Sequence, residues 1–352
     1  EDNVTLYAFW VDEVLSYQAI GGNYQVSAGD RINLVQTVTI PSQYNGLPVT
    51  EVSANAFYGC TSLTDIYIPD TINIVPSSAF TGCSSLVNIH VYDAGAVDPR
   101  YESHDGVLYD RGIDKTYLRP VYMPAAKTGS YTIPDGVDQI PANAFKGSGI
   151  SRVVIPQSVT VIGQEAFANC INLATVTFVN PSASGQLSVG NRAFMNCFSL
   201  TNITFPARLS QIATSRVNDN MLGSFSSLDD LTANADDAFL IDKDAIEVEN
   251  ERDLDTQLVA VNVARGSGAT YSSADGVLFR NNGSELVYFP AAKDAENYAI
   301  PSTTTRICES AFLDTSLSGT LTIPISVQTI DRFAFAATDI TEVVFEGRAG
   351  AA

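Results

Sequence analysis

Ala56-Phe57-Tyr58-Gly59-Cys60-Thr61-Ser62-Leu63 is followed by Ala79-Phe80-Thr81-Gly82-Cys83-Ser84-Ser85-Leu86, the same phrase written a second time. It returns as Ala166-Phe167-Ala168-Asn169-Cys170-Ile171-Asn172-Leu173 and as Ala193-Phe194-Met195-Asn196-Cys197-Phe198-Ser199-Leu200. Copies one residue tighter, without the cysteine, start at Ala144-Phe145, Ala311-Phe312 and Ala334-Phe335, and a degenerate copy sits at Phe225 to Leu228. Phe57 to Phe80 spans 23 residues, Phe145 to Phe167 spans 22 and Phe312 to Phe335 spans 23. That is the period of a solenoid repeat of roughly 20–29 residues.

Each phrase leads into a short alternating run, such as Leu63-Thr64-Asp65-Ile66-Tyr67-Ile68-Pro69 or Leu200-Thr201-Asn202-Ile203-Thr204-Phe205-Pro206. Side chains alternate across a strand, so Ile66 and Ile68 face one way and Asp65 and Tyr67 the other. Proline has no N–H for a ladder and fits the strand end. The chain then returns through apolar pairs such as Ile72 and Val75, or Val159 and Ile162. One such unit cannot close a core alone. Stacked units put phenylalanine on phenylalanine and leucine on leucine. Cys60, Cys83, Cys170 and Cys197 fall at one repeat position and read as small buried reduced side chains, with a disulfide or reactive thiol as the alternative. Cys308, just before Ala311-Phe312, reads as buried too.

Composition agrees with a long core: 352 residues, 45% hydrophobic and only 16% charged. The net charge of −20, from 39 acidic against 19 basic side chains, repels phosphate backbones and anionic headgroups and argues against nucleic acid as partner. No apolar run approaches the ~20 residues of a membrane span. The chain opens at Glu1 with no signal-peptide core visible, and the expectation is that a targeting segment has been removed.

Two related islands interrupt the repeat. Tyr101-Glu102-Ser103-His104-Asp105-Gly106-Val107-Leu108-Tyr109 leads to Pro124-Ala125-Ala126-Lys127, and Tyr271-Ser272-Ser273-Ala274-Asp275-Gly276-Val277-Leu278-Phe279 leads to Pro290-Ala291-Ala292-Lys293. Lys127 to Lys293 is 166 residues, the span of a duplicated larger unit. Asp-Gly before an alternating run signals a hairpin, because its turn needs positive φ. Each island is therefore expected to be a β-hairpin insertion, its Tyr-x-x-x-Asp-Gly phrase shaping the turn, with ligand binding the alternative. The acidic stretch from Asp229 to Asp255 lacks the oxygen spacing of a calcium loop and reads as a solvated segment.

The Ala-Phe-x-Gly-Cys-x-Ser-Leu phrase, the Leu-Thr-x-Ile-x-Ile-Pro strand and the Asp-Gly-Val-Leu-Tyr/Phe island together resemble the BspA-like leucine-rich-repeat family over about residues 38–346. The resemblance implies a β-rich α/β solenoid, a right-handed curved leucine-rich-repeat superhelix decorated by hairpin islands. It also implies a secreted or cell-surface microbial protein that binds extracellular matrix proteins or other surface ligands. The expected organisation is an N-terminal cap over residues 1–37 and a solenoid over 38–352, with islands at about 92–131 and 247–298. The departures from the pattern are residues 1–37 and a worn repeat between Met221 and Ala233.

No nucleophile–base set, phosphate loop, zinc helix or cofactor motif is written in the chain, so no catalytic, cofactor or metal residues are assigned. Of the two histidines, His104 has Ala274 as its counterpart in the second island, so a role shared by both islands cannot depend on it. The candidate binding face is the outward side of the strands, expected to be concave: Asp65, Tyr67, Asn88, His90, Arg152, Thr175, Thr177, Asn202 and Thr204, with Val154, Asp230, Thr232, Thr320, Thr322, Glu342 and Val344 continuing the rows. Threonine on a strand face also needs no function, since it suits strands. Two function classes follow: an interaction module for an extracellular protein or glycan, or a passive spacer in a larger surface assembly. Ice or mineral binding by the Thr-x-Thr rows would need a regularity that the islands break.

Overall fold

In the computed structural model, residues 11–113, 116–190, 192–212, 258–265, 269–313 and 315–347 are described. The degenerate phrase at 225–228, the worn repeat at 221–233, the acidic stretch at 229–255 and the start of the second island lie outside the described residues, as do Asp230 and Thr232. The chain forms two compact units, Glu1–Thr128 and Gly129–Ala352.

In the first unit, strands Thr37–Thr39, Asp65–Pro69 and Asn88–Tyr92 pair in parallel and in register. Val38, Ile66 and Ile89 form one inward row, while Thr39, Tyr67 and His90 form an outward row. Upstream, Leu15–Ile20 and Asn23–Ala28 make an antiparallel hairpin turning on Gly21 and Gly22. Its second strand pairs in parallel with Leu47–Val52.

The second unit repeats the plan with two ladders. Front strands include Gly149–Ile155 beside Thr175–Phe178, Asn202–Phe205 beside Ala260–Val263, and the trio Asn297–Ala299, Thr320–Ile323 and Glu342–Phe345, all parallel. A back ladder of shorter strands runs Gln139–Ile140, Val161–Ile162, Leu187–Val189, Leu209–Ile212, and a second runs Glu285–Tyr288, Arg306–Ile307, Thr329–Ile330.

The Ala-Phe phrase is the corner of each coil. The Phe57 amide donates to Ala79 O, Phe145 to Ala166 O, Phe167 to Ala193 O and Phe312 to Ala334 O, each at 2.8 Å, so the corner continues the ladder from coil to coil. The corner bends because residues two before and two after the phenylalanine adopt positive φ: Asn143 and Gly147 around Phe145, Glu165 and Asn169 around Phe167, Arg192 and Asn196 around Phe194. That explains the Gly/Asn of the motif, since these residues accept the left-handed region most readily.

Behind the corner the rings stack. Phe57 and Phe80 lie 5.6 Å apart, Phe145 and Phe167 5.0 Å, Phe167 and Phe194 5.3 Å, and Phe289, Phe312 and Phe335 form a further run. All five cysteines are buried free thiols. Cys83 donates to Phe57 O, Cys170 to Phe145 O and Cys197 to Phe167 O at 3.0–3.2 Å, so each thiol ties its coil to the preceding phenylalanine. Burial pushes the Cys170 and Cys197 thiols above their ordinary range and Cys308 up to about 11.

The helical half of the expected α/β repeat does not appear. Helix among the described residues is confined to Val11–Val14 and a 3₁₀ turn at Ile32–Leu34. Between front strand and corner, Pro156 to Phe167 must hold the two-residue strand Val161–Ile162 and the left-handed Glu165, which leaves no room for a helical turn. The fold is a β-solenoid.

The islands form hairpins, and more. Tyr101–His104 pairs antiparallel with Val107–Asp110, which pairs with Arg119–Tyr122, giving a three-stranded meander. Tyr271–Ala274, Val277–Arg280 and Glu285–Tyr288 do the same. Both turns put Asp-Gly at positive φ, 44° and 74° in the first and 50° and 74° in the second.

Candidate interaction face

In-register pairing decides which candidate residues meet. In the first unit Asp65 lies opposite Asn88 and Tyr67 opposite His90. The Tyr67 and His90 rings stack at 4.5 Å and 18°. Asp65 Oδ1 accepts from Asn88 Nδ2 at 3.0 Å and lies 3.4 Å from His90 Nε2. Burial acts to raise the Asp65 carboxyl, but hydrogen bonds from Asn88, Thr64 and His90 outweigh it and hold the group below its ordinary value. The result is one cluster on the sheet: a fixed carboxylate beside a two-ring platform, with Tyr67 exposed and Asp65 and His90 partly so.

In the second unit Arg152 lies opposite Thr175, and Val154 opposite Thr177. Arg152 and Thr177 are exposed. Asn202 and Thr204, also exposed, stand opposite Ala260 and Asn262 in a separate hydrogen-bonded pair of strands. Further along, Thr320 lies opposite Glu342, its hydroxyl donating to the carboxylate at 3.0 Å, and Thr322 opposite Val344. Within each sheet the candidate residues thus meet in strand-to-strand pairs.

The islands adjoin two of these pairs. Strand Asn88–Tyr92 meets the first meander: Ile89 N donates to Gly106 O at 2.8 Å and Val91 N to the Ser103 hydroxyl at 3.0 Å. Val261 N to Gly276 O and Val263 N to the Ser273 hydroxyl repeat both distances. Lys127 reaches Asp105 at 3.3 Å and Lys293 reaches Asp275 at 3.1 Å. Gly106 packs onto the Asn88 side chain so closely that a Cβ there would lie 2.3 Å from Asn88 Oδ1. Asn88 is therefore fastened under the turn and is less available for contact than a strand-face reading suggests. His104 sits in the island against Glu102 at 2.7 Å and edge-on to Tyr109.

Sequence reading missed Ser103 and Ser273, whose hydroxyls finish the sheet edge. Their signal was present: serine recurs three residues before the island glycine in both copies.

A two-ladder β-solenoid with a phenylalanine corner defines a protein of the leucine-rich-repeat class. The chain matches the BspA type leucine rich repeat region in six copies, over residues 31–95, 122–244 and 288–349. It belongs to that family. A leucine rich cell surface protein from Faecalibacterium prausnitzii is similar in fold, with a TM-score of 0.50 and 18% identity over 96% of this chain and 76% of that one. A leucine-rich repeat protein from Bacteroides ovatus aligns with a TM-score of 0.48 and 19% identity over 96% and 76% of the two chains. The pneumococcal vaccine antigen PcpA aligns with a TM-score of 0.47 and 20% identity over 94% and 68%. No curated protein sequence matches the chain. Among the described residues no helix is long and apolar enough to cross a membrane.

Proposed function

We propose that this chain is a non-enzymatic interaction module, displayed at the cell surface or secreted, that binds a protein or glycan of its surroundings through the outward face of its front strands. The Tyr67–His90 stack beside Asp65 carries the reading: an exposed tyrosine ring on a half-exposed imidazole, next to a fixed carboxylate, supplies area and directed polar contact at little cost in side-chain freedom. Arg152 beside Thr175 and Thr177, and Asn202 with Thr204, are secondary contact patches. The face is the concave side of the right-handed, curved coil that the family resemblance implies, with residues 1–37 as its cap.

The test is a screen of the purified chain against matrix proteins and glycans, followed by Tyr67→Ala and Arg152→Ala. Both variants should keep their melting temperature and lose about tenfold or more in affinity, as anchors do. Loss of binding only on substitution of back-ladder residues would place the contact elsewhere. A screen with no ligand would favour a passive spacer.

A further inference from the structure

We propose that the second unit carries an oxyanion-binding site built on Arg208, apart from the front-strand face. In other coils the second residue after the strand-ending proline is small: Gly136, Ser158, Thr303 and Ser326. At Pro206-Ala207-Arg208 it is an arginine. Gly136, Ser158 and Thr303 are exposed, whereas Arg208 folds inward and is only 5% exposed.

Its guanidinium is half used. Nη1 donates to Val159 O at 2.6 Å and to Gln186 O at 3.1 Å, tying the side chain to two neighbouring coils. Nε and Nη2 are buried and have no hydrogen-bond partner among the described residues. Those two nitrogens form the side-on edge of the fork, whose parallel N–H bonds match two oxygens of one carboxylate, sulfate or phosphate.

Two half-buried arginines contrast with it. Arg100 meets Asp110 and Arg280 meets Glu285, while the more exposed Arg306 meets Asp331. Arg208 has no such carboxylate among the described residues, and its burial lowers its pKa. A buried, unanswered cation is costly, and an anion that answers it is correspondingly stabilised.

Arg208 lines a recess of about 340 Å³ together with Ser182, Ser184, Gly185, Gln186, Ser210 and Thr270. Among the described residues the lining offers hydroxyls, an amide and backbone, with no acidic side chain. At position 185 an added Cβ would come 3.8 Å from Arg208 Cδ, and the φ of 131° there suits glycine alone, so the wall beside the arginine stem stays open. The volume is at the small end of ligand pockets, room for an oxyanionic group on a small polar carrier such as an acidic sugar.

Titration calorimetry on the full chain tests this with sodium glucuronate, acetate, sulfate and glucose at matched ionic strength, alongside the Arg208 ¹⁵Nε–H resonance. The oxyanions should bind saturably and shift that resonance, while glucose does neither. R208K keeps the charge but loses the side-on edge and should bind about tenfold more weakly. If R208K fails to fold, the double variant Ser182→Ala/Ser184→Ala, which leaves the bonds to Val159 and Gln186 intact, should bind several-fold more weakly. Glucuronate tighter than acetate and sulfate supports an acidic sugar; equal affinities support the free oxyanion. Absence of saturable binding, glucose binding as well as glucuronate, or undiminished binding by folded R208K would each overturn the site.

Discussion

Phe167 is fully buried between Phe145 and Phe194, and its ring is nearly parallel to the latter. Truncation leaves a void that both stacked neighbours line, so Phe167→Ala should cost about 3–5 kcal/mol, measured by chemical denaturation. The thiols give a second expectation. Cys170, Cys197 and Cys308 are buried and held above their ordinary pKa, so alkylation of the native protein at neutral pH should be slow and become complete only in denaturant, as mass spectrometry would read. Asp65 gives a third. Its folded value lies below the ordinary one, so its contribution is present above the unfolded pKa of about 3.9 and is lost as pH falls through the folded value. Asp65→Asn should remove that acid-side loss, a difference of at most about 1 kcal/mol for so accessible a group. Denaturation midpoints at neutral and acid pH would show it. The phenylalanine role was legible because seven copies of the phrase repeat it, and the cysteine role because four of them do. Arg208 was not, because reading by consensus discards the copy that differs, and the difference is where that side chain leaves the surface.

At the level of elements, the Asp-Gly turn was legible and what it rests on was not. Positive φ is a local demand, visible in two residues, whereas the contact of Gly106 with Asn88 joins segments from different coils. Gly106→Ala should therefore destabilise the first unit through both backbone strain and the clash with Asn88, by about 1–3 kcal/mol. Adding Asn88→Ala removes the 2.3 Å contact with Oδ1 and leaves the strain and a 3.0 Å contact with Cβ, so the double variant should be more stable than the two single effects summed, a non-additivity that thermal denaturation can measure. The third strand of the first meander was missed because Arg119–Tyr122, with Pro120 inside it, does not look like a strand in isolation. The helical half of the repeat was expected from the family pattern. The proline and the left-handed residues that exclude it were both in the sequence, but a left-handed Glu165 or Arg192 carries no compositional mark as glycine or asparagine does.

At the scale of the molecule, each coil contacts mainly its neighbours, so stability is close to a sum of coil and interface terms. A lesion such as Phe312→Ala should speed amide exchange in its own coil and in those around Phe289 and Phe335, and leave the amides of the Phe57–Phe80 run unchanged; hydrogen-exchange mass spectrometry resolves the two regions. The same independence is a hazard for any repetitive chain. A coil that docks one repeat too early meets a surface almost identical to the right one, and nothing local reports the mistake. The meanders supply what the repeats lack. Gly106 and Ser103 take up the N–H groups of one particular strand, and Gly276 and Ser273 those of another, and neither arrangement can form on a coil of the ordinary kind. They act as punctuation in a text of repeated words: a misread phrase is caught at the next stop, so an error of counting is confined to one sentence instead of running through the whole chain.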